Sequence, residues 1–245
     1  MKLSKRKLKL HDQAEEILQK EELNGADKEF VFENWHPAVN HDVTGHAVYF
    51  TPEGLASELA MQLYGEELVV LDLCAGIGML SWSVVNAYRW TGKIPRIIAV
   101  EFNKDFVEVG KKLVPEAEWI QGNIFDDETW AQIDCPIDIV ISNPPFGAIA
   151  SYKYDRKLPA DLEIVGRALD ISPKGGIFIL PSGSVPFEYS GVSYYKSKES
   201  SAWNRFLKYY PDVEINCCSI DTEVYRDEWR MANPRVELVD IRKAC

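Results

Sequence analysis

Cysteine and histidine are scarce in this chain. Of 245 residues, five are Cys, at 74, 135, 217, 218 and 245, and four are His. The cysteine count is odd, no Cys-x-x-Cys occurs and the histidines form no cluster, so neither a disulfide framework nor a metal centre is expected. Adjacent Cys217 and Cys218 would face opposite sides of a strand. Such usage is expected of a reduced, cytoplasmic protein. Long apolar runs are missing too: no stretch approaches the ~18 uninterrupted apolar residues of a membrane span. The opening Met1 to Leu10 is basic but lacks an apolar core, so a secretory leader is not expected. Positive charge is also short, with 27 Lys and Arg against 38 Asp and Glu and a net charge of -11. Five of the cations, Lys2, Lys5, Arg6, Lys7 and Lys9, stand in the first ten residues, so the remainder is more acidic still. Uniform acidity argues against a polyanionic partner. Only local clustering of cations can reverse that, because screening limits charge to a reach of about 8 Å.

What is present is a hydrophobic fraction of 46%, enough for a substantial core, in a chain long enough for one α/β domain with extensions. Residues 1–10 read as a mobile basic arm and 11–23 as a short amphipathic helix stopped by Asn24-Gly25. Phe30 to Pro37 is aromatic-rich and is expected to pack on the main domain. Asn40 to Gly45 reads as a loop. Glu53 to Tyr64 places Leu55, Leu59 and Leu63 on one stripe, with Gly65 as the stop. Strands and helices then alternate: strand 68–73, helix 79–90, strand 96–101, helix 104–113, strands 117–121 and 137–142, helix 159–171, strand 175–180. This order calls for a doubly wound α/β sheet with helices on both faces. The end differs, with a helix near 200–209 and strands near 212–220 and 235–242. The last two form an antiparallel terminal hairpin. The expected division is an N-terminal arm and helical extension over 1–45 and a main domain over 46–245.

Three segments carry chemistry. Ile137 to Ile141 is an apolar strand running into Ser142-Asn143-Pro144-Pro145-Phe146-Gly147. Two prolines fix φ and supply no N–H, so the backbone there offers only carbonyls. An amide and an aromatic ring beside such carbonyls suit a planar substrate with an exocyclic amine. Asn143 and the Pro144 carbonyl can accept from the amine, while Phe146 stacks on the ring. Upstream, Leu68 to Ser81 reads as a strand, an acid at Asp72, a turn through Cys74-Ala75-Gly76-Ile77-Gly78, and a helix start. In doubly wound sheets that turn is where a nucleotide-like ligand meets the strand ends, and glycine lets the backbone approach closely. Ile97 to Glu101 is another strand, ending in a carboxylate able to accept both hydroxyls of a ribose. A dinucleotide-binding fold would show the same acid, which keeps NAD open at this point. The third glycine of that fingerprint is absent, since Ser81 stands in its place.

These segments, in this order over roughly residues 45 to 185, resemble the class I S-adenosylmethionine-dependent methyltransferases, in particular those that modify adenine N6. The resemblance implies a Rossmann-like seven-stranded sheet and S-adenosylmethionine as cofactor. Asp72, Cys74, Ala75, Gly76 and Gly78 look like the methionine-binding turn. Glu101 resembles the ribose-binding acid, with Phe102 beside it. Gln121 to Phe125 sits where the family places its adenine loop, which assigns Asn123 and Ile124 to the cofactor. Family members often carry Asp where this chain has Asn123, so the cofactor's adenine amine is held less tightly or by Asp126. Asn143, Pro144, Pro145 and Phe146 match the amine-binding motif, Asn143 also touching the cofactor. Tyr49-Phe50-Thr51-Pro52 is similar to an element of restriction-modification adenine methyltransferases, which places Tyr49 and Thr51 beside the cofactor's methionine end.

Two segments go against the acidic average. Ser151 to Lys157 carries Lys153 and Tyr154 directly after the amine motif. Tyr194, Tyr195, Lys196 and Lys198 form a second basic-aromatic cluster. Cations interleaved with aromatic rings are what backbone tracking plus base stacking use. The resulting expectation is an enzyme that methylates the N6 amine of adenine in nucleic acid. DNA is favoured by the Tyr-Phe-Thr-Pro element, with RNA of the ribosomal type as the alternative. A protein-glutamine methyltransferase and a non-catalytic partner with the same fold rank lower. Little chain is left over for a recognition domain, so the expected specificity is short or relaxed, unless a partner subunit or a second copy supplies the reading.

Overall fold

The computed structural model describes residues 4–36, 50–65, 68–146, 158–189, 194–196, 200–218, 220–229 and 234–243. Helices α1 (Lys5–Leu18), α2 (Gly25–Asn34) and α3 (Glu53–Met61) precede the first strand. Then follow β1 (Val69–Leu73), α4 (Met79–Arg89), β2 (Arg96–Glu101), α5 (Lys104–Leu113), β3 (Ala117–Gln121), α6 (Asp127–Trp130), β4 (Ile139–Ser142), α7 (Ala160–Ile171) and β5 (Gly176–Pro181). The remainder is β6 (Phe187–Tyr189), β7 (Tyr194–Lys196), α8 (Ser201–Phe206), β8 (Val213–Cys217), a 3-10 helix (Thr222–Glu228) and β9 (Val236–Lys243).

Seven strands form one sheet in the order β3-β2-β1-β4-β5-β9-β8. The pairings among β1 to β5 are parallel, while β9 runs antiparallel to both β5 and β8. The chain therefore winds outward from β1 through β2 to β3, then returns to lay β4 on the other side of β1. That reversal leaves a crevice above the C-terminal ends of β1 and β4, the place where open α/β sheets bind ligands.

Strand periodicity explains the two cores. Val70, Ile97, Ala99, Ile139, Ile141, Ile177, Ile179 and Leu238 face one side, where α1 to α5 cover them. Leu71, Leu73, Ile98, Val100, Val140, Phe178, Leu180, Val239 and Ile241 face the other, under α7 and α8. Both sheet faces are covered, so the central strands read as continuous apolar runs rather than as alternating ones.

The basic arm read over residues 1–10 is corrected: helix begins at Lys5, with the Ser4 hydroxyl accepting from the Lys7 N–H at 3.2 Å. The basic residues occupy exposed positions of that helix, while His11, Ala14 and Leu18 form its buried stripe. A cap and a narrow apolar stripe outweigh local charge density here. The helix is tied down, since Lys112 on α5 donates to the Leu18 carbonyl. The Trp35 indole N–H donates to Glu15 at 2.7 Å, and the His36 N–H donates to His11 Nδ1 at 3.0 Å. The aromatic-rich segment after it does pack on the main body: Val31, Phe32 and Trp35 are buried. The loop read over 40–45 lies outside the described residues. Four elements are additions to the sequence reading: α2, whose N-cap is the Asn24 read as a helix stop, α6, the β6-β7 hairpin and the 3-10 helix.

Candidate functional site

β1 is followed by a turn that few sequences can adopt. Cys74, Gly76 and Gly78 have φ of 61, 58 and 94°, in the left-handed region that glycine enters freely. At Gly78 space adds to conformation, because a Cβ would stand 2.9 Å from Val114 and 3.0 Å from the Trp119 ring. The turn is held by hydrogen bonds from Ala75 N–H to the Val100 carbonyl (3.0 Å) and from Gly78 N–H to the Ala75 carbonyl (2.8 Å).

Two carboxylates stand under this turn. Asp72 is fully buried, and its Oδ2 accepts from the Ser81 hydroxyl at 2.6 Å and from the Ser81 N–H at 3.2 Å. Its Oδ1 has no hydrogen-bond partner among the described residues. Burial pushes the Asp72 carboxyl up to about 7, against the opposing pull of Ser81. Glu101, at the end of β2, accepts from the Gly76 N–H (2.9 Å) through one oxygen and from the Asn103 N–H (2.8 Å) through the other. Burial raises its carboxyl as well, and these backbone donors oppose the rise. Each Glu101 oxygen keeps a lone pair for a further donor.

On the other side of the switch point, Ser142 donates to the Leu73 carbonyl at 2.6 Å and locks the end of β4 to the end of β1. Asn143 follows, and its Nδ2 donates to the Thr51 hydroxyl oxygen at 2.9 Å. Asn143 and Thr51 line one cavity together with Cys74, Ala75, Gly76 and the rings of Phe32 and Phe50. Phe50 lies over Gly76, 3.5 Å from where a Cβ would be. It packs on Phe106 (5.6 Å) and on Trp35 (6.2 Å), so the N-terminal helices build one wall of this cavity.

The remaining predicted residues divide. Phe102 is 67% exposed beside Glu101. Pro144 is buried, and Pro145 and Phe146 are half-buried, with Phe146 packed on the first core. Asn123 shapes its own loop: Oδ1 accepts from the Phe125 N–H at 3.1 Å, and its carbonyl accepts from the Thr129 hydroxyl at 2.7 Å. The Ile124 side chain is buried in the second core, and its carbonyl accepts from Trp130 Nε1 and Arg167 Nη1, both at 2.8 Å. Asp126 is exposed at the start of α6. Tyr194, Tyr195 and Lys196 form β7 of the hairpin. Tyr49, Lys153, Tyr154 and Lys198 lie outside the described residues.

Phe32, Ser81 and Ser142 contribute without having been singled out from sequence. Ser81 carried a signal, since it replaces the third glycine of a dinucleotide fingerprint and instead caps Asp72. Phe32 and Ser142 had none, because their roles arise from contacts across long sequence separations.

Residues present fit S-adenosylmethionine. An orphaned buried carboxylate oxygen at Asp72 suits the methionine ammonium, the glycines at 76 and 78 admit the close approach of a ligand to the turn, and Glu101 suits a ribose diol. No curated protein matches the chain in sequence. Its fold is similar to the type I restriction-modification methyltransferase subunit of Streptococcus thermophilus, at TM-score 0.59 and 15% identity over 91% of this chain and 51% of that one. The chain thus spans about half the length of that subunit. It is similar also to a candidate class I S-adenosylmethionine-dependent methyltransferase of Listeria monocytogenes (TM-score 0.60, 13% identity, 96% and 80% covered). A third likeness is to a candidate RNA methyltransferase of Pyrococcus horikoshii (TM-score 0.53, 20% identity, 99% and 98% covered). Residues 51–179, which run from Thr51 through the glycine turn and Asn143 into β5, match the methyltransferase small domain. That match takes in more than half of the sequence, so the chain belongs to the methyltransferase small domain family, an α/β enzyme class whose cofactor is S-adenosylmethionine.

Proposed function

We propose that this protein transfers a methyl group from S-adenosylmethionine to the exocyclic N6 amine of adenine in DNA, with short or relaxed sequence specificity. The observation that carries the reading is the placement of Asn143: it directly follows β4 and shares one cavity with the glycine turn. When bound, the cofactor supplies an electrophilic methyl on a sulfonium. Asp72 and the turn hold its methionine end, Glu101 its ribose, and Phe102 with the Asn123-Ile124 loop its adenine. Asn143 and the Pro144 carbonyl accept from the substrate amine. They draw its lone pair out of conjugation and stabilise the positive charge that develops on nitrogen. Pro144 and Pro145 bring no N–H, so this edge repels nothing that donates. Phe146 stacks on the base. A base inside a duplex cannot reach this crevice and must flip out or be unpaired beforehand.

Lys153, Tyr154, Tyr194, Tyr195, Lys196 and Lys198 are assigned to the substrate strand. The short segments around them can read few base edges, each good bidentate contact discriminating by only about 1–3 kcal/mol. Longer recognition would need a further domain, a partner subunit or a second copy. RNA is the second reading, supported by the near full-length likeness to the Pyrococcus protein, whose description is that of a candidate RNA methyltransferase. Transfer of a radiolabelled methyl to plasmid DNA, structured RNA and protein in parallel tests the proposal. Label in N6-methyladenine of DNA at a site of few fixed bases is expected. A site of six or more fixed bases would contradict the short specificity, and label confined to RNA would replace DNA as the substrate.

Asp72 gives this reading a pH signature. Its carboxyl is raised to about 7 in the folded protein, against about 3.9 in an unfolded chain. The folded state therefore holds the proton more tightly, and the stability of the cofactor-free protein falls as pH rises from about 4 to about 7. Only the ionised form attracts an ammonium. Cofactor affinity is accordingly expected to drop about tenfold per pH unit below 7, and Asp72→Asn to flatten that slope. Calorimetric titrations between pH 5.5 and 8 that show a flat wild-type affinity would remove Asp72 from the ammonium site.

A further inference from the structure

A side-chain amide is nearly symmetric in shape and opposite in chemistry at its two ends. Asn143 can serve an incoming amine only with its oxygen turned outward and its NH2 turned in. Turned in, that NH2 needs an acceptor, because leaving a buried donor unmade costs about 1–3 kcal/mol. Thr51 Oγ1 is an acceptor in place, 2.9 Å from Nδ2 and 92 residues away in sequence. Thr51 is 7% exposed, so water is a poor substitute for it. Its backbone is held as well. The preceding Phe50 is wedged between Trp35 and Phe106, and Trp35 is itself fixed by its hydrogen bond to Glu15.

We propose that Thr51 is a positioning residue for methyl transfer: its hydroxyl takes the NH2 of Asn143 and so presents the amide oxygen to the substrate amine. This rests on the amine-binding role given to Asn143 above, and moves Thr51 from the cofactor's methionine end to the substrate side of the crevice. The N-terminal helices then act on the reaction through Trp35, Phe50 and Thr51. Val is close to Thr in shape but lacks the hydroxyl, and Ser keeps the hydroxyl but lacks the methyl, so the two substitutions separate hydrogen bonding from packing.

The test has two arms. In the cofactor-free protein, NMR of the Asn143 side-chain amide should show slowed hydrogen exchange in wild type and Thr51→Ser, and fast exchange in Thr51→Val. In steady-state assays on the DNA substrate, Thr51→Val should lower kcat about tenfold. Its dissociation constant for S-adenosylmethionine should stay within about threefold. Thr51→Ser should restore most of the rate. The same Thr51→Val change made on top of Asn143→Asp should cost much less, because a carboxylate offers an oxygen whichever way it turns; such a cycle isolates the coupling between the two positions. Unchanged amide exchange in Thr51→Val, or a loss expressed in cofactor affinity and left uncorrected by Thr51→Ser, would overturn the proposal. A wild type that binds the cofactor yet methylates no adenine would instead overturn the amine-binding reading, leaving the exchange arm to judge Thr51 on its own.

Discussion

Asn143→Ala is expected to lower turnover about a hundredfold or more while leaving cofactor affinity within about threefold. In the proposed function the side chain acts on the substrate amine as charge develops there. Removing it takes away stabilisation made mainly in the transition state, so kcat and kcat/KM should fall together. Ser142 keeps the end of β4 tied to the Leu73 carbonyl at 2.6 Å in this variant, so the crevice itself should survive. Thr51 loses a donor on its hydroxyl but keeps its backbone clamp. The measurement is single-turnover methyl transfer beside calorimetric titration of S-adenosylmethionine. Near wild-type turnover would show that the amine is held elsewhere. A large loss of cofactor affinity would place Asn143 on the cofactor alone.

Glu101→Ala is expected to weaken cofactor binding by about ten- to a hundredfold, the equivalent of roughly 1.5–3 kcal/mol for a charged acceptor serving buried hydroxyls. The carboxylate does two things at once. In the proposed function it takes the ribose hydroxyls, and in the structure it holds the Gly76 N–H at 2.9 Å and the Asn103 N–H at 2.8 Å. Alanine therefore removes a ligand and loosens the turn that carries the methionine end. Glu101→Gln separates the two effects, since the amide still has one acceptor for the backbone. Its loss should be smaller than that of alanine, and unfolding midpoints should show whether the turn was destabilised. Unchanged affinity in Glu101→Ala, or tighter binding of NAD than of S-adenosylmethionine by wild type, would refute the ribose assignment.

Much of the scaffold was legible because its elements are local. The stripe Leu55-Leu59-Leu63, the apolar runs ending at Asp72, Glu101 and Ser142, and the glycines at 76 and 78 each report on conformation within a few residues. Their expected spans agree with the observed helices and strands to within two or three residues at most ends. The exceptions share a cause. The Lys-rich start of α1 was read as an arm because charge density suggests solvent, yet a Ser4 cap and three buried positions suffice for a helix that packs on a neighbour. The β6-β7 hairpin has only three residues per strand, too few for a period to register.

The order of the chemical pieces is written along the chain: a turn built on glycine, an acid one strand later, an amide followed by two prolines after the fourth strand. Each is written in contiguous residues, and the physics that shapes it acts at short range. Which pieces meet depends on how the whole chain folds. The switch between β1 and β4 brings the Cys74-Ala75-Gly76 turn and Asn143 to one cavity, Ser81 turns back onto Asp72, and Thr51 reaches Asn143 across 92 residues. The N-terminal helices, which looked like an appendage, supply Phe32 to the cavity and the clamp on Phe50. A hydrogen bond or ring contact between distant residues leaves no periodic trace along the chain. It exists because packing of the whole core fixes both partners to within an ångström, and that is a property of the folded state alone.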